Sequence, residues 1–104
     1  YAIHLMQTFA AGSFMMNCAY LGIPCIGYNR VDTQRKLFPE LSIDVDDLES
    51  ARKLARRLVD DKDFYTHCSG TSKMLFEKHY SEQRFNEWKS DFFLNIDKFI
   101  KNYE

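Results

Sequence analysis

The run Ala10-Ala11-Gly12-Ser13-Phe14-Met15-Met16-Asn17-Cys18-Ala19-Tyr20-Leu21-Gly22-Ile23-Pro24-Cys25-Ile26-Gly27-Tyr28 constrains the fold more than any other part of the chain. Gly22 can take the left-handed conformation that ends a helix, and Pro24 cannot continue one. Ser13 suits a helix N-cap, because its hydroxyl can accept a bond from an orphan N–H of the first turn. The run therefore reads as loop, short helix, stop and buried strand. Tyr1 to Met6 reads as a strand just before it. A strand, a glycine loop, a helix and a second strand put free N–H groups and a positive helix end at the carboxyl edge of a sheet. Open α/β sheets bind phosphates at that edge.

The chain has 104 residues, enough for one domain. A hydrophobic share of 45% and an aromatic share of 15% can fill a core, which excludes a disordered chain. A net charge of −1 gives no general attraction to nucleic acid, so any anion site must be local. Cys18, Cys25 and Cys68 are odd in number and match no zinc or redox spacing. Cys18 and Cys25, in apolar surroundings, read as small buried groups of a protein in a reducing compartment, the cytoplasm. No apolar run is long enough to span a membrane. Because Tyr1 already belongs to a core-like strand, the chain is expected to be part of a longer polypeptide.

The first half, residues 1–46, is strand-rich. Ala2–Met6, Pro24–Tyr28 and Leu41–Val45 are short apolar runs of the kind found in parallel sheets. Asn29–Glu40, between the last two, reads as a polar loop. The second half reads as helical. Asp46 and Glu49 have capping-box spacing, followed by an apolar stripe of Leu48, Ala51, Ala55, Leu58 and Val59. Arg52, Lys53, Arg56 and Arg57 read as a solvated face. A second helix is expected over about Phe64–His79, weakened at Gly70. A third, capped by Ser81, runs over Glu82–Tyr103 with Phe85, Trp88, Phe92, Phe93, Ile96, Phe99, Ile100 and Tyr103 on one face. That face reads as packing surface, part of it for another domain. The expected fold is α/β, a partial Rossmann-like domain of about three parallel strands followed by helices.

Gly12 and Ser13 are the leading candidate site. Backbone N–H groups of residues 12–14 could cradle a diphosphate, or Ser13 could simply cap its own helix. The glycines fit neither the dinucleotide fingerprint nor a P-loop. Asn17, one turn on, is polar among apolar neighbours and could bond a ribose hydroxyl or face solvent. Asn29, Arg30, Asp32 and Gln34 form a polar cluster at a strand's carboxyl end, where Arg30 could meet an anion. His4 could be a general base or a packed residue. His67 and His79 read as helix-face residues. Cys68 beside His67 lacks a second ligand pair, so no metal is expected. Asp44, Asp46 and Asp47 fit a strand end and a helix cap. No catalytic residue is assigned.

The Ala-Gly-Ser loop, the short helix and Leu21-Gly22-Ile23-Pro24-Cys25-Ile26-Gly27 resemble the carboxyl-terminal nucleotide-binding domain of GT-B-fold glycosyltransferases. Sugar-nucleotide 2-epimerases of the same fold are also similar. Leu41–Asp44, the Asp47–Asp60 helix and the Phe85–Trp88 helix resemble the elements that follow. The resemblance covers most of the chain. It implies that residues 1–104 are the carboxyl-terminal part of a nucleotide-sugar-binding domain in a glycosyltransferase. Ala11, Gly12 and Ser13 would bind the diphosphate of a nucleoside diphosphate sugar, with Asn17 near the ribose. The donor is a substrate, so no cofactor is implied. The implied partner is an amino-terminal acceptor domain. Many members carry Glu where Asn17 stands, and retaining members often carry Glu where Phe9 stands. The alternatives are an epimerase-like domain and a non-catalytic α/β interaction module that assembles through the Phe85–Tyr103 face.

Overall fold

The computed structural model describes residues 1–6, 12–80, 86, 87 and 90, and only the backbone at 12 and 13. Three short strands lead the order: β1 (Ala2–His4), helix α1 (Gly12–Leu21), β2 (Cys25–Tyr28), helix α2 (Asp32–Leu37) and β3 (Ser42–Ile43). A single 3-10 turn, Pro39–Leu41, precedes β3. Helices α3 (Leu48–Asp60) and α4 (Lys62–Tyr80) follow. The strands pair in parallel in the order β1-β2-β3, with Ala2 opposite Cys25, His4 opposite Gly27 and Tyr28 opposite Ile43. This is the α/β arrangement that the sequence predicts.

α1 and α2 both pack on β2 and against each other, as the right-handed crossovers usual between parallel strands would arrange them. α3 packs on β2, and α4 packs on α1, α2 and α3. The central strand is buried along its whole length, as a parallel strand should be. Met15 of α1, Ile26 of β2, Leu37 of α2 and Leu41 are almost completely enclosed. Each such side chain contributes roughly 1.5–3 kcal/mol. No helix among the described residues is long and apolar enough to cross a membrane.

The stop at Gly22 forms as the sequence predicts. Gly22 has φ +71°. Its N–H donates to Ala19 O at 3.1 Å, and the Ile23 N–H donates to Cys18 O at 2.8 Å. That pair of bonds is a Schellman cap. The Ser69 hydroxyl of α4 donates to Gly22 O at 2.7 Å. A Cβ at Gly22 would sit 2.9 Å from Ser69 Oγ and 2.4 Å from Lys73 Cε. Gly22→Ala should therefore cost about 1–2 kcal/mol for the left-handed backbone alone, read from urea unfolding midpoints.

Several boundaries differ from the sequence reading. α1 already includes Gly12 and Ser13, so Ser13 stands in the first turn instead of capping it. The stretch expected as a polar loop, Asn29–Glu40, holds α2 and most of the 3-10 turn, and it buries Gln34, Leu37 and Phe38. The cap of α3 is Asp47, not Asp46: Ser50 donates to it by its N–H at 3.1 Å and its hydroxyl at 2.7 Å. Asp46 instead takes φ +66° in the Asp44–Asp47 turn. Val59 is 67% exposed, and the buried stripe of α3 runs through Ala51 and Leu58. α4 is continuous through Gly70.

The Ser50 hydroxyl, and next its N–H, hold the Asp47 carboxyl below its ordinary value. A group depressed on folding stabilises above its unfolded value, about 3.9, and loses that stabilisation as pH falls through its folded value. Acid titration of the unfolding midpoint should fall more steeply for the wild type than for Asp47→Asn. At Gly70 a Cβ would meet nothing within 4 Å. Gly70→Ala should stabilise by about 0.4–1 kcal/mol, visible as a raised Tm. The Ser81-capped helix and its aromatic face fall outside the described residues, apart from helical 86, 87 and 90.

Candidate functional site

Parallel pairing sends all three strands toward the same edge. His4 ends β1, Asn29 and Arg30 form the turn after β2, and Asp44 follows β3. The first turn of α1 returns to the sheet after β1. Its N–H groups at Gly12, Ser13 and Phe14 precede the positions that can bond within the helix. With the helix dipole they form a local positive pole. Ala11 lies outside the described residues, as does the Ser13 side chain.

Asn17 is exposed on α1. Met15, Cys18 and Ala19 form the buried face of that helix, and the 100° step per residue sets Asn17 opposite them. Its amide faces outward, so a ligand would reach it only along the outer side of α1. Arg30 is exposed, and no carboxylate pairs with it among the described residues. The other members of the expected polar cluster are already engaged. Asp32 pairs with Arg35 and with Lys36 at 3.0 Å. The Asn29 amide donates to Asp44 Oδ1 at 2.7 Å.

Gln34 is a correction to that cluster. It is fully buried, and its Nε2 donates to Cys25 O at 2.8 Å and to Leu41 O at 3.4 Å. These carbonyls lie ahead of the first β2–β3 register pair, Gly27 opposite Ser42. Gln34 thus joins the two strands before their own ladder begins. Its spacing of three from Leu37, the other buried residue of α2, is the helical signal that a polar residue type obscured.

The charge along the edge is graded. The α1 turn and Arg30 are positive. On the β3 side, Asp44 and Asp47 border an open depression of about 380 Å³ that Asn29, Ser50 and Lys53 also line. A smaller hollow of about 10 Å³ between Leu37, Pro39, Leu41 and Cys68 is far below the usual ligand range of about 300–1,000 Å³.

His4 stacks on Phe14 of α1, with ring centroids 5.1 Å apart and planes at 27°. His67 is engaged with Glu40 Oε1 at 2.6 Å, which ties α4 to the 3-10 turn. All three cysteines are buried and unpaired. Burial, and next the Cys18 thiol, push Cys25 up to about 12. Burial, and next the Glu40 charge, push Cys68 up to about 11. Neither thiol is a nucleophile at neutral pH. No cluster of three metal-ligating side chains occurs among the described residues. The chain matches no protein-family model, no curated protein and no solved structure.

Proposed function

We propose that this chain is the donor-binding part of a glycosyltransferase that takes a sugar from a nucleoside diphosphate sugar. The observation that carries this reading is the position of the α1 first turn at the carboxyl edge of a parallel α/β sheet, where helix N-termini bind phosphate. The Gly12 and Ser13 N–H groups would hold the diphosphate, with the Ala11 loop before them. Arg30 would add a charge from the neighbouring turn, and Asn17 would offer an amide to the ribose. The same dipoles would stabilise the departing diphosphate.

The charge gradient supports the reading. Strands lie about 4.8 Å apart, so the Asp44 side is roughly 10 Å from the end of β1. A nucleoside diphosphate sugar presents anionic oxygens in one part and hydroxyls in another, which suits a positive and a carboxylate-lined end. The resemblance of Gly22-Ile23-Pro24 and its flanks to GT-B donor domains points the same way. The acceptor domain and any general base belong to the proposed larger protein.

Calorimetric titration of the full-length protein with UDP and GDP tests the reading. One of the two should bind, and Arg30→Ala should weaken it by roughly 2–5-fold, the worth of an exposed charge contact. Absence of binding to either nucleotide would overturn the proposal.

A further inference from the structure

The open depression beside the end of β3 has a mixed wall. Asn29, Asp44, Asp47 and Lys53 supply its polar groups, and Ile43 and Leu54 its apolar part. Its volume, about 380 Å³, falls within the usual ligand range of about 300–1,000 Å³. Asn29 and Asp44 follow neighbouring strands, and the Asn29 amide donates to Asp44 Oδ1 at 2.7 Å. Among the described residues that bond leaves Asp44 Oδ2 and Asn29 Oδ1 open to further donors. Asp47 is engaged at both oxygens by Ser50, so it adds charge more than acceptor capacity. Lys53 Nζ is a donor on the same wall, 3.4 Å from Glu49 Oε1. A hydroxyl both donates and accepts. Free acceptors, one ammonium and two aliphatic side chains therefore suit a ring that carries hydroxyls. The charge narrows the ligand further. Asp44 and Asp47 set two formal negative charges against the one positive charge of Lys53, and Glu49 already engages that lysine.

We propose that this depression receives the sugar ring of the donor, and that this sugar carries no acidic group. The inference rests on the donor-site reading above. Phosphate oxygens stay with the α1 turn and Arg30, away from the two carboxylates. Sugar hydroxyls donate to Asp44 Oδ2 and Asn29 Oδ1, and the ring lies against Ile43 and Leu54. A carboxylate on the ring would share the depression with Asp44 and Asp47, and like charges so placed repel.

The test is amide shift mapping and calorimetric titration of the full-length protein with the sugar nucleotides of whichever base binds. The probes are UDP-glucose and UDP-glucuronate, or GDP-mannose and GDP-mannuronate. Each pair differs only by a hydroxymethyl group against a carboxylate on the same ring. The neutral donor should shift the Ser50 and Leu54 amides, which the bare nucleotide leaves in place. The acidic donor should bind about 5-fold more weakly than its neutral partner, the worth of one like charge nearby in water. Asp44→Asn keeps an oxygen for Asn29 and removes the charge, so it should bring the two affinities together. Lys53→Ala should widen the gap, and it serves if Asp44→Asn does not fold. Nucleotide binding with equal affinity for both sugars, or with Ser50 and Leu54 unmoved by the neutral donor, would overturn this inference and leave the donor reading standing. No binding by either nucleotide would overturn both.

Discussion

Gln34→Ala should lower the free energy of unfolding by about 3 kcal/mol, a large share of the margin of a small domain. The change removes a fully buried side chain and the two bonds it donates to Cys25 O and Leu41 O. Each carbonyl left without a partner costs roughly 1–3 kcal/mol, and the vacated volume adds a cavity cost. Orphaned Oε1 disappears with the side chain, which offsets part of the loss. For a chain of this length the Tm should fall by more than about 10 °C. An exposed Gln in a loop would leave Tm unchanged, so calorimetry on the variant separates the two descriptions of residue 34.

Gly27→Ala should cost about 2 kcal/mol through the same side chain. The added methyl would stand 2.6 Å from Gln34 Oε1 and 2.7 Å from Cδ, so the amide must leave its place. Overpacking of this kind typically costs 1–3 kcal/mol. Because both substitutions act on one contact, the double variant should be destabilised by less than the sum, with a coupling of about 1 kcal/mol. Urea denaturation of the four proteins measures it. Strict additivity would mean that Gly27 and Gln34 do not meet.

The helix stop and the parallel order were legible because backbone chemistry carries them. Gly22 and Pro24 act through φ and a missing N–H, whatever surrounds them. Helix α2 was not legible. It has six residues, Val31 at its N-cap supplies no side-chain bond, and its buried face includes a glutamine. Polarity assigned residue 34 to solvent, whereas two strand carbonyls ahead of their ladder require a donor. The α3 cap shows a different limit. Asp46 and Asp47 are equally good cap residues by type, and only the turn that places Asp46 at φ +66° selects its neighbour.

The candidate site divides in the same manner. The first turn of α1 and Arg30 could be placed at the carboxyl edge from topology alone. The outward face of Asn17 could not, since it depends on which side of α1 meets the sheet. His4 was legible only as a histidine in a strand. Its surroundings come from Phe14, ten residues on, and from its register partner Gly27.

The most direct test of the donor-site reading is amide chemical-shift mapping of the full-length protein during titration with UDP and GDP. The largest shifts should fall on the Gly12, Ser13 and Phe14 amides, followed by the Arg30 turn, with Ser50 at the opposite end of the edge little changed. Binding that leaves the Gly12–Phe14 amides unmoved, or no binding by either nucleotide, would contradict it.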